Sequence, residues 1–282
     1  MKKNIKTILR GFGQVMLQNN ALTGLLFLIG ISYNSWIMAF GAIVGTIIST
    51  LTATCLKYSK DDIENGLYGF NGTLVGIAIL FLFNFNLITG IFIVLGSIFS
   101  TFIMHEMKKK IPAYTAPFVI STWVVILIIK ILSLAPLILL SPLETSSFYL
   151  FTAMNMGLAQ VMFQSSVITG LIFILAILVN SRIGAFYAIY GSLLGSLFAL
   201  LLSLPLTMIN VGLFGYNAVL CGIALGTKTK KGFALATFAI LLSVLLNYFM
   251  GSIGIITLTA PFVLATWIVL LINKKIKWDV LK

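Results

Sequence analysis

The stretch that decides the fold is written twice: LYGFNGTLVGIA occupies residues 67–78, and LFGYNAVLCGIA occupies residues 213–224, 146 positions further along. Both copies are apolar, contain glycines at matching places, and place an asparagine directly after an aromatic residue. Self-similarity of this kind at a fixed spacing indicates that the chain contains two copies of one structural unit.

The repeat extends to both sides of this stretch. Residues 11–30 match residues 157–176 at nine of twenty positions, again at an offset of 146. TAPFVISTWVV, which begins at Thr115, matches TAPFVLATWIV, which begins at Thr259, at eight of eleven positions. Three blocks matched in one order predict two repeats, 1–140 and 141–282, within a single membrane domain.

The composition places both copies in a lipid bilayer. Of the 282 residues, 60% are hydrophobic and only 9% are charged, whereas soluble domains contain about 25% charged residues. The apolar runs approach the ~20 residues that a helix needs to cross the hydrocarbon core, and continuous runs favour helices over barrel strands. We therefore predict an all-α integral membrane protein. The polar stretch GQVMLQNN interrupts the apolar core that a signal peptide requires, so no cleavage is expected.

The basic residues predict the topology. The net charge of +12 comes from lysines and arginines scattered between apolar runs, so the positive-inside rule explains it better than a nucleic-acid partner does. The two copies carry these residues in complementary loops: Lys57, Lys60, Lys108, Lys109 and Lys110 in the first copy, and Arg182, Lys228, Lys230 and Lys231 in the second.

If basic loops stay in the cytoplasm, the chain starts inside and crosses five times to an external link near Glu144. Five more crossings then lead to an inside C-terminus at Lys274, Lys275 and Lys277. An odd number of crossings per copy inverts the second copy, and Lys130 alone fits this count poorly. Inverted repeats are typical of transporters and channels, in which broken helices from each half form the solute site near the midplane.

Glycines and amides mark candidate positions at membrane depth. Four glycines punctuate residues 66–76, so a half-membrane or broken helix and a close helix-packing contact both remain open. Asn71 and Asn217 follow an aromatic residue in both copies, and an amide at this depth must find a hydrogen-bond partner. These asparagines favour the broken helix that lines a polar path.

Two glutamine pairs are spaced for one helix face. Gln14 with Gln18, and Gln160 with Gln164, lie at positions i and i+4 and should face the bundle interior. They either line a path or connect helices, and the second role is favoured for Gln18 and Gln164.

Two threonines precede matched prolines. Thr115 and Thr259 each stand before Ala-Pro-Phe, where a threonine can cap a helix that has proline in its first turn. Because the pair is doubled and inverted, we favour a further role in which both hydroxyls face one solute.

The residues also argue against several classes of function. All six acids are predicted in loops or tails, which leaves no core carboxylate to carry protons or to bind sodium: Asp61, Asp62, Glu64, Glu106, Glu144 and Asp279. The single histidine, His105, is predicted as a solvated loop residue, and neither cysteine occupies a matching position in the repeat. We therefore predict no enzyme, no cofactor and no metal site. A corridor of amides, hydroxyls and carbonyls suits an uncharged polar solute.

In this order, GQVMLQNN and AQVMFQSS, LYGFNGTLVG and LFGYNAVLCG, and the two TAPF segments resemble the urea transporter family. The resemblance implies a homotrimer in the cell membrane, embedded in lipid, whose protomers each contain ten transmembrane helices and two re-entrant half-helices. It also implies passive, channel-like permeation of urea. The termini are then cytoplasmic.

The resemblance also implies roles for particular residues. Gln14 and Gln160 are similar to the glutamines at the outer and inner ends of the family's selectivity filter, and Thr115 and Thr259 to its central threonines. The apolar walls of the slot are implied by Leu74 and Leu220, together with Leu17 and Phe163. Leu17 stands where the family pattern has phenylalanine, so Phe70 or another ring is expected to complete the outer aromatic wall.

Two other functions remain open on the residues alone. One is a channel for another small neutral solute, such as ammonia, water or a short amide. The other is an ion-coupled transporter, which also uses inverted repeats but needs a coupling site for its ion.

Overall fold

The computed structural model describes residues 3–138, 145 and 147–276. The predicted link at Glu144 and the terminal residues Lys277 and Asp279 lie outside the described residues. The chain divides into two compact units, Met1–Ser141 and Pro142–Lys282.

Within the described residues, each unit is built from seven helices, and six of the seven matched pairs differ in length by at most two residues, the exception being α5 and α12. The first unit contains α1 (Lys3–Gln14), α2 (Ala21–Asn34), α3 (Trp36–Cys55), α4 (Lys60–Glu64), α5 (Gly69–Leu82), α6 (Leu87–Met107) and α7 (Ala116–Ile131). The second contains α8 (Leu150–Gln160), α9 (Val167–Asn180), α10 (Arg182–Leu201), α11 (Leu206–Asn210), α12 (Tyr216–Leu225), α13 (Lys230–Ser252) and α14 (Ala260–Ile276).

Four of the described helices, α3, α6, α10 and α13, are long and apolar enough to cross a membrane. Six more apolar helices are shorter, among them α5 with 14 residues and α12 with 10 residues. At 1.5 Å per residue, α5 and α12 are about 21 and 15 Å long, less than the ~30 Å thickness of the hydrocarbon core. The helical, membrane-type fold class predicted from the sequence is therefore confirmed.

The glycines of the repeated stretch bring α5 against α3 at backbone distance. A Cβ atom built on Gly72 would lie 2.2 Å from the carbonyl oxygen of Gly45, and one on Gly76 would lie 1.9 Å from that of Gly41. Both helices thus present glycines spaced four residues apart, the pattern that allows membrane helices to pack closely. The helix-packing role left open for these glycines is therefore present in the structure.

The second unit builds the same contact with a different set of small residues. On α10, a Cβ atom at Gly191 would lie 2.5 Å from the carbonyl oxygen of Ala218 on α12. On α12, a Cβ atom at Gly222 would lie 2.5 Å from the carbonyl oxygen of Tyr187. Small residues therefore allow close helix packing in both units, between α5 and α3 in the first and between α12 and α10 in the second.

The structure corrects the expectation that the histidine and the acids of the first unit lie in loops. His105 is not a solvated loop residue, because α6 continues through it and its ring stacks on Tyr58 with 3.7 Å between the ring centroids. Glu106 likewise lies in the last turn of α6. The acids Asp61, Asp62 and Glu64 lie in the short helix α4.

The structure also gives a physical reason for Lys130. Lys130 lies in the last turn of α7, where a cation interacts favourably with the partial negative charge of the helix end. Helix electrostatics thus accounts for this lysine independently of topology.

Candidate functional site

The candidate glutamines end the first helix of each unit. After Gln14, a turn brings the N–H of Leu17 to the carbonyl oxygen of Gln14 at 3.0 Å, and Leu17 itself has φ +59°. In the second unit, Phe163 makes the same bond to Gln160 at 3.0 Å and has φ +58°. A bulky residue in the left-handed region is uncommon and costs about 1 kcal/mol or more. Both units nevertheless place a large side chain at this turn.

The same turn overturns one sequence prediction. Because α1 ends at Gln14 and α8 ends at Gln160, Gln18 and Gln164 lie beyond the helix and do not share a helix face with the first glutamine of their pair. Both are buried, and their side-chain amides donate to the carbonyl oxygens of Met16 at 2.8 Å and Met162 at 2.5 Å. These bonds stabilise the turn that follows each helix.

The side-chain amide of the first glutamine is oriented by a hydrogen bond in each unit. Nε2 of Gln14 donates to the backbone carbonyl of Asn65 at 3.0 Å, and Nε2 of Gln160 donates to the hydroxyl of Ser165 at 3.3 Å. The backbone carbonyl of Asn65 can only accept, so it assigns the donor end of the Gln14 amide to the protein, and Oε1 of Gln14 then faces away from that bond. Gln14 can therefore offer an acceptor to an N–H group.

Asn71 and Asn217 hold the TAPF helices in place. The side-chain oxygen of Asn71 on α5 accepts from the backbone N–H of Phe118 on α7 at 3.0 Å, and that of Asn217 accepts from Phe262 at 3.1 Å. Both asparagines are buried, and the N–H groups that they bind lie in the first turn, where a helix leaves its amides unpaired. Their side-chain oxygens therefore cap a neighbouring helix.

Asn71 binds the helix end at which Thr115 was a candidate cap. Thr115 is the N-cap residue of α7, yet its side chain makes no capping hydrogen bond, because Asn71 binds the first-turn amide instead. Thr115 and Thr259 are both buried, and each follows a residue with positive φ, Tyr114 at +47° and Leu258 at +46°. The capping role considered for Thr115 is thus absent.

A cavity of 530 Å³ in the first unit brings together part of the candidate set. Gln14, Leu17 and Phe70 line it, and the loop that runs up to Tyr114, next to Thr115, completes the wall. Asn71, Thr115 and the fully buried Leu74 are not part of its lining. In the second unit Leu220 is fully buried like Leu74, whereas Phe163 is half-buried like Leu17. Phe70, the ring expected to compensate for Leu17, lines the same cavity as Leu17.

The same cavity makes two sequence expectations incompatible. Lys108, Lys109 and Lys110 also line it, so Gln14 opens to the same side of the unit as this basic cluster. The positive-inside rule places these lysines in the cytoplasm, whereas the resemblance placed Gln14 at the outer end. Only one of these assignments can hold.

Some residues of the site were missed by the sequence. The carbonyl of Asn65, which orients Gln14, is invisible to a motif search because any residue supplies a backbone carbonyl. The signal nearby was Gly66, which has φ +74° and where a Cβ atom would lie 2.5 Å from the backbone nitrogen of Gly11. A conformation and a contact that only glycine permits fix the turn that presents Asn65 to α1.

The capping role of Asn71 predicts a measurable loss of stability. In Asn71→Ala the buried N–H of Phe118 loses its acceptor, which should lower the free energy of unfolding by about 1–3 kcal/mol. Thr122→Val on α7 is the matched control, because the Thr122 hydroxyl is buried and has no hydrogen-bond partner. Thermal unfolding in detergent should show a lowered melting temperature for Asn71→Ala alone. Equal melting of the two variants would exclude the capping role.

The fold and the site together define a class: a helical membrane protein with a cavity lined by the amide side chain of Gln14, by aromatic rings, by apolar side chains and by lysines. The family model for the urea transporter matches residues 5–274. Urea transporter 1 of the sheep Ovis aries is 30% identical over 95% of this chain and 77% of its own length. Urea transporter 1 of the mouse Mus musculus is 30% identical with the same two shares. The chain belongs to the urea transporter family, which confirms the resemblance carried by the repeated motifs.

Proposed function

We propose that this protein moves urea passively across the cell membrane through a narrow selectivity filter. The observation that supports this most directly concerns Gln14, whose side-chain N–H donates to the carbonyl oxygen of Asn65. The side-chain oxygen of Gln14 can then accept a hydrogen bond from a solute in the cavity that Leu17 and Phe70 also line. Urea is flat and neutral and has four N–H donors, so it needs acceptors along its edge and apolar groups against its faces. The proposed role is transport without chemical conversion.

We propose that Gln14 and Gln160 supply oxygens to the solute, that Thr115 and Thr259 supply hydroxyls, and that the walls of the path are apolar. We propose the following wall residues: Leu17, Phe70, Leu74, Phe163 and Leu220. Asn71 and Asn217 act on the filter indirectly, by fixing the helices that begin after the threonines. The proposal assigns Gln14 to the cytoplasmic end, because it shares a cavity with Lys108, Lys109 and Lys110.

The proposal includes the arrangement in the membrane. Two inverted repeats, with about ten transmembrane helices and two re-entrant half-helices, would place both termini in the cytoplasm. The short α5 and α12, together with the complementary basic loops, support this arrangement. The homotrimer is proposed from family membership.

Stopped-flow light scattering on proteoliposomes tests this function. A urea gradient should collapse much faster than in empty liposomes, and the rate should be the same with or without sodium and with or without a pH gradient. Flux that follows an ion gradient would favour the ion-coupled transporter instead. A rate equal to that of empty liposomes, with faster movement of ammonia, water or a short amide, would assign the channel to another neutral solute.

A further inference from the structure

The lysines and arginines of the two units differ in whether carboxylates are close enough to form ion pairs with them. In the first unit, Lys3 pairs with Glu64 at 2.6 Å and Lys109 pairs with Glu106 at 2.7 Å, while Lys108 pairs with Asp62. The hydrogen bond from Lys3 also holds the pKa of Glu64 below its usual range. These lysines are thus at least partly neutralised within their own unit.

The second unit has no comparable acids. Between Glu144 and Asp279 the sequence contains no aspartate or glutamate at all. Arg182, Lys228 and Lys230 are nevertheless close enough to line one pocket of 480 Å³, and no carboxylate is among the described residues that line it. We refer to the pocket formed by these three cations with Thr227, Thr229, Phe186, Tyr187 and Phe233 as the Arg182 pocket. Three like charges around one cavity repel each other unless an anion enters.

A gain in helix stability does not explain the positions of these cations. Arg182 is the first residue of α10 and Lys230 is the first residue of α13. The N-terminus of a helix has a partial positive charge, so a cation is unfavourable there, whereas an anion is favoured. Both helix ends therefore add to the positive potential of the Arg182 pocket and do not offset it.

The pocket is held in shape by a specific bond. The hydroxyl of Tyr187 on α10 donates to the backbone carbonyl of Thr227, before α13, at 2.6 Å. Thr229 then accepts from the N–H of Gly232 at 3.0 Å and caps α13. The loop that contains Lys228 is thus fixed at both sides next to Arg182.

The wall of the pocket continues into an exposed aromatic surface. Phe186 is 54% exposed and Phe233 is 43% exposed, and both lie in the first turns of candidate membrane-spanning helices. Tyr190 packs between them, with ring centroids 6.0 Å from Phe186 and 5.2 Å from Phe233. Aromatic residues at this depth are typical of the membrane interface, where they lie at the level of the lipid headgroups.

We infer that the Arg182 pocket binds an anionic phospholipid. The headgroup phosphate lies among Arg182, Lys228 and Lys230, and the acyl chains run along Phe186 and Phe233. A free phosphate would use the cations but leave the exposed faces of Phe186 and Phe233 uncovered, which is why a lipid fits better. Basic pockets beside membrane helices attract the anionic lipids of the cytoplasmic leaflet, and the predicted topology places both basic loops on that side.

Native mass spectrometry of the purified chain tests the lipid site. With equal amounts of phosphatidylglycerol and phosphatidylcholine of the same acyl chains, the wild type should retain phosphatidylglycerol preferentially. The triple variant R182Q/K228Q/K230Q should lower the bound phosphatidylglycerol by about a hundredfold, because each cation near an anionic surface contributes about fivefold and the three factors multiply. Bound phosphatidylcholine should not change. Should the triple variant fail to fold, each single variant is expected to lower the bound phosphatidylglycerol by about fivefold.

The matched control is K6Q/K57Q/K130Q, which removes the same charge from three exposed lysines outside the pocket. An equal loss of phosphatidylglycerol in this control would overturn the site in favour of a general charge effect. Complete displacement of the lipid by millimolar inorganic phosphate would show that the pocket binds a free anion and would also overturn the proposal. Urea flux in the triple variant should match the wild type, so the lipid site and the proposed transport function can fail separately.

Discussion

Replacing both central threonines with valine, Thr115→Val with Thr259→Val, is expected to lower urea flux by about tenfold or more. Valine keeps the shape of threonine but removes the hydroxyl, so an N–H group of a dehydrated solute loses its acceptor. An unmade hydrogen bond of this kind costs about 1–3 kcal/mol, and about 1.4 kcal/mol corresponds to a tenfold change. The helix ends should not suffer, because Thr115 provides no side-chain cap and Asn71 and Asn217 bind the first-turn amides.

The control for this experiment lies seven residues further along the same two helices. Thr122 and Thr266 are fully buried, the Thr122 hydroxyl has no partner, and the Thr266 hydroxyl lies 3.9 Å from Sγ of Cys221. Thr122→Val with Thr266→Val should leave the flux within about twofold of the wild type, since no strong bond is lost. Both double variants should be compared by stopped-flow light scattering at equal protein density. Unchanged flux in the first variant would remove the threonines from the mechanism.

Adding a single methyl group at Gly76 is expected to prevent normal folding. The new Cβ atom of Gly76→Ala would lie 1.9 Å from the carbonyl oxygen of Gly41 and 2.5 Å from its carbonyl carbon. The obstacle is the backbone of α3 rather than a flexible side chain, so α3 and α5 must separate along their contact. Overpacking of side chains alone costs about 1–3 kcal/mol, and a backbone clash in a helix pair should exceed about 4 kcal/mol.

Gly251→Ala provides the comparison for Gly76→Ala. Gly251 also lies in a helix, α13, but a Cβ atom there would meet no atom within 4 Å. Alanine favours a helix over glycine by about 1 kcal/mol, so this variant should be as stable as the wild type or slightly more stable. Size-exclusion chromatography after a heating series would separate the two outcomes. If Gly76→Ala eluted as a single peak up to the same temperature as Gly251→Ala, the close contact between Gly76 and Gly41 would not be needed for stability.

The sequence was sufficient for the helical membrane fold and the family, because both depend on patterns that persist over many residues. Long apolar runs and motifs repeated in one order do not require knowledge of any single contact. The sequence also drew attention to Asn71 and Asn217, since a buried amide must have a partner. It did not identify that partner, because the backbone N–H groups of Phe118 and Phe262 are 47 and 45 residues away along the chain.

The errors arose where the backbone leaves regular geometry. Gln14 and Gln18 were placed on one helix face by their spacing, but the left-handed residue Leu17 ends the helix between them. A leucine does not predict such a helix end, because glycine is the usual residue in the left-handed conformation. His105 was misplaced for the opposite reason, since α6 extends into a stretch whose charge predicted a loop.

The left-handed turn at Leu17 and Phe163 also affects which substitutions the protein can accept during evolution. Leu17 and Phe163 adopt almost the same backbone angle, +59° and +58°, with the same hydrogen bond to the preceding glutamine. The main chain therefore accepts a branched aliphatic or an aromatic side chain at this point without adjustment. One substitution can therefore change the side chain that follows Gln14 or Gln160 while the main chain of that turn keeps its course, so the two repeats are free to evolve different tolerances for solutes bulkier than urea.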